Sequence, residues 1–329
     1  MRYKKLGPTS IKVSVIGLGT WAIGGWAWGG TDEKQSIDAI NGALDSGINL
    51  IDMAPMYGKG LSEEIVGKAI KGKRDKIVLA TKCGLVWDKQ VGLYFFDYED
   101  TGEKVYKCLK KDSIEEELNK SLKRLKTDYI DLYQTHWQDS TTPITETMEK
   151  LLELKEKGKI RAIGVCNSSL DELKEYERNG EIASYQEKYS LLDRDIEKEI
   201  IPWCNKKNIS FISYGSLSKG LLTGKLNSDR KFKKGDHRIG KQRYFEKTIF
   251  RTNGIIKKYL EPIAEKHRCS VGNIAVAWLL KNSGIISLCG ARNEKQAIEN
   301  AKGADVTLDE FDLNEIQYFV NDFKEIDNQ

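Results

Sequence analysis

The stretch NLIDMAPMYGKGLSEEIVGKAIKGKRDKIVLATK, residues 49–82, contains two short apolar runs separated by a helical pattern. The runs at 49–54 and 76–82 are almost continuously apolar, as expected for strands that are covered on both faces. The segment between them, at 62–70, spaces its apolar residues as one face of a helix does. This strand–helix–strand pattern predicts two neighbouring parallel strands joined by a crossover helix.

The same unit repeats along the whole chain. Strand-like runs begin at residues 13, 49, 77, 129, 160, 183, 209 and 284. Helical patterns lie near 33–46, 62–70, 142–158, 169–179, 195–207, 252–267, 270–282, 293–301 and 308–323, and a further helix is predicted to open at a capping box formed by Ser113 and Glu116. Eight such units favour a single-domain α/β fold over residues 1–329, a closed (β/α)8 TIM barrel.

The alternative fold is an open dinucleotide-binding sheet followed by a second domain. That fold requires a GxGxxG turn after its first strand. Gly17, Gly19 and Gly24 follow the first run with a different spacing, so the barrel is favoured.

Three segments fall outside the repeating units. Residues 3–14 are predicted to form an N-terminal β-hairpin that plugs the bottom of the barrel. Long loops at 83–112 and 216–251 follow the third and seventh strands, and loops at that end of a barrel line the catalytic face. The first loop is rich in aromatic residues and suits an apolar pocket wall, and the second is basic and suits a flap over an anionic ligand. Alternatively, both are mobile surface loops without a role.

Composition excludes several classes of function. The 329 residues include 53 Lys and Arg against 49 Asp and Glu, a net charge of only +4, which argues against a nucleic-acid-binding protein. No apolar run approaches ~18 residues, so no membrane partner is expected. The N-terminus lacks the apolar core of a signal peptide, and six scattered cysteines suit a cytoplasmic protein. The three histidines lack metal-site spacing, so no metal is predicted.

Polar residues stand where the strands end. Asp52, Lys82 and His136 end the second, third and fourth strands, and Tyr57 follows Asp52 by five residues. A buried charge needs a partner, so Asp52 and Lys82 are predicted to pair. A neighbouring ammonium favours the phenolate, so the pKa of Tyr57 is expected to fall and the phenol to act as a proton donor. His136 is expected to orient a substrate carbonyl. On spacing alone, a purely structural Asp–Lys pair remains open.

The chain resembles the aldo-keto reductase family over nearly its whole length. The motifs that carry the resemblance are GLGTW (17–21), GINLIDMAPMYGKGLSEEIVGKAI (47–70), LATKCG (79–84), SLKRLKTDYIDLYQTHWQD (121–139), GKIRAIGVCN (158–167), YGSLSKGLLTGK (214–225) and GARNEKQAIEN (290–300). They look closest to the bacterial branch that is similar to potassium-channel β subunits. The resemblance implies a (β/α)8 barrel that uses NADPH to reduce a small aldehyde or ketone. It also implies a catalytic set of Asp52, Tyr57, Lys82 and His136.

The resemblance further implies where an extended NADP(H) molecule would lie. Thr20 and Trp21 would approach the nicotinamide ribose near Asp52, and Tyr214 would stack on the nicotinamide ring. The carboxamide would bond to the amides of Asn167 and Gln186. The remaining implied contacts are to the pyrophosphate, from Gly215, Ser216, Leu217, Gly220 and Lys225, and to the 2′-phosphoribose and adenine end, from Gly290, Arg292, Gln296, Glu299 and Asn300. Without the resemblance, the last three would be an ordinary solvated helix face.

Three residues depart from the family pattern. Cys166 stands where serine is usual, and a thiol is a weaker donor to the carboxamide. Ser216 replaces a usual proline, which is expected to loosen its loop, and Cys289 replaces another.

Two other functions are consistent with the motifs. One is a nucleotide-sensing binding module like the channel subunits, against which His136 argues because those subunits lack it. The other is a polyol or sugar dehydrogenase that works in the oxidative direction.

Overall fold

The computed structural model describes residues 1–98, 101–227 and 229–327. Its strands are β1 (Tyr3–Lys5), β2 (Lys12–Ser14), β3 (Ile16–Gly19), β4 (Leu50–Asp52), β5 (Val78–Cys83), β6 (Leu85–Val86), β7 (Leu93–Asp97), β8 (Lys104–Lys107), β9 (Ile130–Thr135), β10 (Ile160–Cys166), β11 (Ser184–Lys188), β12 (Ser210–Tyr214) and β13 (Ile285–Gly290). Its α-helices are α1 (Trp21–Gly24), α2 (Glu33–Asp45), α3 (Leu61–Ala69), α4 (Lys111–Leu125), α5 (Ile144–Glu156), α6 (Leu170–Asn179), α7 (Ile200–Lys206), α8 (Glu246–Ile255), α9 (Glu261–Lys266), α10 (Val271–Leu279), α11 (Glu294–Ala301) and α12 (Glu310–Asp327).

Eight parallel strands close into the predicted barrel. They are hydrogen-bonded in the order β3, β4, β5, β9, β10, β11, β12 and β13, and β13 pairs again with β3. Seven of them begin within one residue of the predicted position, whereas the first begins at Ile16 rather than residue 13. The difference arises because residues 12–14 form β2, which pairs antiparallel with β1 in the predicted hairpin.

The hairpin closes one end of the barrel with apolar side chains. Leu6, Ile11 and Val13 are buried against inward-facing residues of the strands, among them Leu50 and Leu132. Side chains alternate across a strand, so every second residue of each barrel strand enters this inner core. The intervening residues pack outward against the helices in a separate, larger core. The bottom of the barrel is therefore filled, and only its opposite end is open to a ligand.

The helices follow the predicted order, with differences at several ends. The helix predicted at 195–207 is a 3-10 turn at Asp195–Glu197 followed by α7, and the last helix, α12, continues four residues beyond the predicted end. The predicted capping box at Ser113 is wrong, because α4 already begins at Lys111 and the Ser113 hydroxyl instead donates to Glu117 one turn later. The helix predicted at 252–267 begins earlier, as α8, and continues through a π-helical turn at Ile256–Leu260 into α9.

The two long loops have structure of their own. In the first, β6, β8 and β7 form a three-stranded antiparallel sheet in that order. The second contains 3-10 helices at Ser218–Thr223 and Gln242–Tyr244 and the start of α8. Residues 99, 100 and 228 of these loops lie outside the described residues. Within the described ranges, no helix has the length and apolarity needed to cross a membrane.

The hairpin plug predicts a stability effect far from the open end of the barrel. Leu6 is fully buried, so Leu6→Ala leaves a cavity and should lower the free energy of unfolding by about 3 kcal/mol. Urea unfolding followed by circular dichroism measures this loss. Leu93→Ala, at a 40% exposed position, is the control and should change stability by less than about 0.5 kcal/mol. Equal effects of the two variants would contradict a stabilising role for the buried side chains of the hairpin.

Candidate active site

A layer of polar side chains lies above the apolar interior of the barrel. Asp52 follows Leu50 by two residues, and Gln134 follows Leu132 by two residues, so each polar residue points inward like its apolar predecessor. The same alternation places Lys82 and Gln186 inside on β5 and β11. All four side chains are buried. The alternation of side chains along the strands thus places a polar layer above the apolar interior, at the open end of the barrel.

Asp52 and Lys82 form the predicted ion pair. Lys82 Nζ lies 2.7 Å from Asp52 Oδ1 and also donates to the backbone oxygen of Met53 at 2.9 Å. The phenolic oxygen of Tyr57 lies 3.4 Å from the same Nζ. Burial is the strongest single influence on Lys82 and works against its charge, but the charge and hydrogen bond of Asp52, with contributions from Tyr57 and Cys166, together outweigh it and raise the pKa of Lys82 above its ordinary value. Lys82 therefore stays charged beside Tyr57.

The pKa of Tyr57 does not fall as the sequence predicts. Lys82 does favour the phenolate, but burial of the phenol acts more strongly in the opposite direction, and Asp52 adds to the increase. The net effect raises the pKa of Tyr57 to about 12. Tyr57 is consequently protonated at neutral pH, with an ammonium already in place to stabilise the phenolate once the proton has left.

Two glutamines complete the surroundings of Asp52. Gln186 Nε2 donates to Asp52 Oδ2 at 2.8 Å, and Gln134 Nε2 donates to the same oxygen at 3.1 Å. The thiol of Cys166, which is also buried, lies 3.7 Å from Gln134 Oε1. Gln134 was not predicted from the sequence, although it is a polar residue at an inward-facing position of an apolar strand. In this arrangement Gln186 and Cys166 are committed to the carboxylate network.

His136 lies next to Tyr57, as predicted. The centroids of the two rings are 6.0 Å apart and nearly perpendicular. The backbone N–H of His136 donates to Cys83, and its carbonyl accepts from Asn167 Nδ2 at 2.8 Å, which fixes the residue at the rim. Burial, reinforced by Lys82, lowers the pKa of His136 well below its ordinary value. The imidazole is therefore neutral and can donate a hydrogen bond from one ring nitrogen.

The rim continues through Asn167 to Tyr214. Asn167 adopts a left-handed conformation with a φ of 50°, and its Oδ1 accepts from the Tyr214 hydroxyl at 2.9 Å. The half-buried ring of Tyr214 packs against the inner core. Thr20 is fully buried, and its hydroxyl donates a hydrogen bond to the backbone oxygen of Asp52. It therefore supports the end of β4 and is not exposed at the open end of the barrel.

The loop after β12 has a backbone suited to anions. Gly215 and Gly220 have φ values of 70° and 98°, and left-handed turns of this kind can form anion-binding surfaces from backbone N–H groups. The N–H groups of Ser218 and Gly220 already donate within the loop, to the carbonyls of Gly215 and Leu217. The contacts of Ser216 argue against the expected loosening of this loop. Ser216 is 1% exposed, and its hydroxyl accepts from Ser287 at 3.0 Å and lies 3.2 Å from the Ser213 hydroxyl. Leu217 anchors the loop against the outer core.

The residues predicted for the adenosine end form two groups. Arg292 and Gln296 line a cavity of about 480 Å³ together with Gly29, Gly30, Thr31, Asp32, Gln35, Lys233 and Asn293. The guanidinium of Arg292 donates to the backbone oxygens of Trp28 at 3.3 Å and Gly30 at 2.9 Å. The cavity lies at the N-terminal ends of α2 and α11, whose N-cap side chains, Asp32 and Asn293, accept from the backbone N–H groups of Gln35 and Gln296.

The second group lies beside this cavity. Lys225 Nζ pairs with Glu299 at 2.5 Å across the groove, and Asn300 Nδ2 donates to the backbone oxygen of Gly290 at 3.0 Å. The first contact joins the loop after β12 to helix α11, and the second joins α11 to the end of β13.

An aromatic wall borders the mouth on the side of the first long loop. Trp21 stacks on Tyr57 with centroids 6.3 Å apart, and Trp26 stacks on Phe96 and Tyr98 at 5.9 and 4.8 Å. Trp26 and Phe96 belong to a local apolar cluster under the small sheet. The prediction that this loop forms an apolar wall therefore matches its position.

No group of three or more His, Cys, Asp and Glu side chains in the described part of the chain could hold a metal ion. The absence of a metal requirement remains a prediction for solution experiments.

The sequence matches the aldo/keto reductase family over residues 15–321. It is 44% identical over 300 residues to aldo-keto reductase YhdN of Bacillus subtilis, covering 90% of this chain and 86% of the relative. It is 42% identical over 320 residues to the NADH-specific methylglyoxal reductase of Escherichia coli, covering 95% and 96% of the two chains.

Solved structures agree with this likeness. The glycerol dehydrogenase AKR11B4 from Gluconobacter oxydans superposes with a TM-score of 0.85 at 37% identity, covering 95% of this chain and 93% of that one. An aldo-keto reductase from Klebsiella pneumoniae in complex with NADPH superposes with a TM-score of 0.72 at 27% identity, covering 97% and 95% of the two chains.

The buried ion pair predicts an asymmetric response to mutation. Asp52→Asn leaves Lys82 as an unpaired buried charge, and breaking a buried pair in this way costs roughly 3–5 kcal/mol of unfolding free energy. Asp52→Asn combined with Lys82→Met removes both charges and should recover part of that loss. Urea unfolding of both variants tests the expectation. Strictly additive losses would contradict it.

Proposed function

The chain belongs to the aldo/keto reductase family, and from that premise we propose that it is an NADPH-dependent reductase of small aldehydes or ketones, with Tyr57 as the proton donor. It is an oxidoreductase, and its family acts on small carbonyl compounds with a nicotinamide cofactor. The observation that carries the finer proposal is the convergence of Lys82, Tyr57 and His136 at the open end of the barrel.

Tyr57 has the properties required of a general acid. Its raised pKa keeps the phenol protonated at neutral pH. When negative charge develops on the carbonyl oxygen, the Tyr57 proton moves to that oxygen and completes the alcohol. The phenolate left behind lies 3.4 Å from Lys82 Nζ, whose charge Asp52 maintains. Lys82 thus stabilises the product state of the proton transfer without itself giving up a proton.

His136 orients the carbonyl. As a neutral imidazole it donates one hydrogen bond to the substrate oxygen without competing with Tyr57 as an acid. Its backbone is fixed on both sides by Cys83 and Asn167, so the ring approaches the oxygen from a constant direction. This position distinguishes the chain from a binding module with vestigial turnover, which would not need an orienting group beside the acid.

The groove beside Tyr57 fits a nicotinamide cofactor. Tyr214, held by Asn167, presents a ring on which a flat heterocycle would stack, and the left-handed turns at Gly215 and Gly220 would bind the diphosphate through backbone N–H groups. The bound cofactor supplies the hydride for the carbonyl carbon. The cavity beside Arg292, at two helix N-terminal ends, would hold the adenosine phosphate.

We propose NADPH rather than NADH as the preferred cofactor. Arg292 and Lys233 both line the adenosine cavity, and a guanidinium matches a phosphate better than a hydroxyl. The Klebsiella neighbour was solved with NADPH, whereas the Escherichia relative is named NADH-specific, so relatives support either choice. Residues 1–329 are proposed to act as one domain, and the six free cysteines support a cytoplasmic location.

A second candidate is oxidation of a polyol. The Gluconobacter neighbour, with a TM-score of 0.85, is named a glycerol dehydrogenase, and proton transfer through Tyr57 is reversible. Steady-state assays at neutral pH distinguish reduction from oxidation. One assay contains NADPH and a panel of aldehydes, and the other contains NADP+ and glycerol. Turnover of aldehydes in the presence of EDTA supports the proposal, whereas turnover of glycerol alone supports the second candidate.

Tyr57→Phe should keep the fold and cofactor affinity but lose general acid catalysis. Because positioned proton transfer contributes roughly 10²–10⁴-fold, kcat for aldehyde reduction should fall by that factor. Tyr94→Phe, a 50% exposed tyrosine on β7, serves as the control and should retain full turnover. If Tyr57→Phe retained turnover within about threefold of the parent, another group would be the acid.

Arg292→Ala should weaken NADPH binding by about 30-fold, the equivalent of about 2 kcal/mol for a part-exposed charge pair, and leave NADH binding nearly unchanged. Fluorescence titration with both cofactors measures the two affinities. Lys295→Ala removes a neighbouring exposed charge from α11 and is the control. Equal losses for both cofactors would mean that Arg292 acts by anchoring the backbone of Trp28 and Gly30.

A further inference from the structure

Glu63 is a buried charge that lies outside the polar layer of the barrel. It stands in the first turn of α3, and its side chain is fully buried. Its Oε1 accepts from the Thr81 hydroxyl at 2.6 Å, and its Oε2 accepts from Arg124 Nε at 2.6 Å. A buried carboxylate is unfavourable unless it is paired and hydrogen-bonded. These two contacts therefore hold the side chain of Glu63 in one direction.

Arg124 reaches Glu63 from α4 through the space left by a glycine. Gly60, the residue before α3, has a φ of 97°, and a Cβ at this position would lie 2.6 Å from Arg124 Cδ. Glycine thus provides both the left-handed turn that starts the helix and the room for the arginine side chain. Arg124 Nη2 also donates to the hydroxyl of Ser121 at 3.3 Å. The guanidinium is fixed by these contacts, and it fixes the Glu63 carboxylate in turn.

Thr81 connects Glu63 to the strand that carries Lys82. Successive side chains of a strand point to opposite faces. Ala80 belongs to the inner core of the barrel, so Lys82 also points inward on β5, and Thr81 between them points outward to α3. The hydrogen bond from Thr81 to Glu63 therefore anchors the end of β5 on the outside of the barrel. The position of the ammonium depends on this anchor, because its side chain starts at the next residue.

Ser62, the neighbour of Glu63 in α3, contacts the segments that carry Tyr57 and Asp52. Its backbone N–H donates to the carbonyl oxygen of Tyr57 at 3.2 Å. Its hydroxyl lies 2.6 Å from the hydroxyl of Thr20, which itself donates to the backbone oxygen of Asp52 at 3.0 Å. Both hydroxyl side chains are fully buried. The first turn of α3 thus joins the backbone at Tyr57 to the ends of β4 and β5.

We propose that Glu63 is a positioning residue that sets the separation between Lys82 Nζ and the phenolic oxygen of Tyr57, which is 3.4 Å. It acts on Lys82 through Thr81 and on Tyr57 through the turn of α3 to which it belongs. The inference rests on the proposed function, because this separation matters for turnover only if Tyr57 gives its proton to a substrate. A displacement of about 1 Å in an active site can cost on the order of 10²-fold in rate, so a partial release of β5 should be measurable.

Thr81→Val tests the proposal, because valine has nearly the shape of threonine but cannot donate to Glu63. The single-turnover rate of NADPH oxidation at saturating aldehyde should fall by about tenfold, while the Kd of NADPH and the KM of the aldehyde stay within about twofold. Rapid mixing followed by NADPH fluorescence measures this rate before product release. The solvent deuterium isotope effect on the rate should increase, because proton transfer from Tyr57 becomes slower. Thr81→Ser keeps the hydroxyl and should restore the rate.

Thr147→Val is the matched control. Thr147 is also fully buried, but it lies on α5, and its hydroxyl donates to the Leu109 carbonyl at 3.2 Å. Valine removes one buried hydrogen bond at either position, and urea unfolding compares the two losses of stability. Thr147→Val should keep the single-turnover rate of the parent.

A double variant shows whether Thr81 acts through Glu63. Glu63→Met combined with Arg124→Met removes both members of the ion pair, so that neither charge is left alone in the interior. This double variant should lower the single-turnover rate as Thr81→Val does. Adding Thr81→Val to it should cause no further loss, because the anchor is already absent.

The proposal is overturned if the single-turnover rate of Thr81→Val stays within about threefold of the parent, or if Thr147→Val loses as much. It is also overturned if the losses from Thr81→Val and from the double variant multiply in the triple variant.

Failure of the proposed function is seen separately, because the parent itself would then reduce none of the aldehydes. Crystal structures of the parent and of Thr81→Val then decide the question of positioning. A separation between Lys82 Nζ and the Tyr57 oxygen that lengthens by about 0.5 Å or more supports the role of Glu63, and an unchanged separation overturns it.

Discussion

The buried ion pair between Asp52 and Lys82 is the interaction on which the open end of the barrel depends. Removing two charges from water is unfavourable, and their attraction offsets it only when the remaining hydrogen-bonding capacity is also filled. Here Lys82 reaches Asp52 and the Met53 carbonyl, while Gln134 and Gln186 fill the second carboxylate oxygen. Asp52 and its side-chain partners lie on four different strands, β4, β5, β9 and β11, so only a closed sheet brings them together. The complete set of contacts around the ion pair can therefore form only once the barrel has closed.

Most of the fold follows from local periodicity. Apolar runs of four to eight residues alternating with helical patterns determine the number of barrel strands and nearly all of their starting residues. The exceptions are places where non-local pairing overrides a local signal. Residues 12–14 look like the start of the first barrel strand, yet they pair with Tyr3–Lys5. Ser113 has the spacing of a cap, yet α4 starts two residues earlier and turns its hydroxyl toward Glu117. The sheet of β6, β7 and β8 has no periodic signal that separates it from a loop.

The candidate site was predictable where a charge or ring ends an apolar strand, as at Asp52, Lys82 and His136. Gln134 was missed because the sequence analysis searched for buried charges, which need a partner, and the side chain of Gln134 is a neutral amide. Similarly, Ser216 was expected to loosen its loop, but the hydroxyls of Ser213 and Ser287 that hold it lie on neighbouring strands. Their proximity appears only after the barrel closes.

The sign of the Tyr57 pKa shift also depends on closure, and it bears on the direction of the reaction. The sequence shows the ammonium of Lys82, which lowers the pKa of Tyr57. It does not show the burial of the phenol, which acts more strongly in the opposite direction and raises the pKa to about 12. A phenol with that pKa is protonated at pH 7. If Tyr57 is the acid of the proposed reduction, its protonated form is available near neutral pH. Oxidation of an alcohol through the same side chain would need the phenolate as base, which is populated only at alkaline pH. Under the proposed function, these side chains would therefore favour carbonyl reduction near neutrality and alcohol oxidation at high pH.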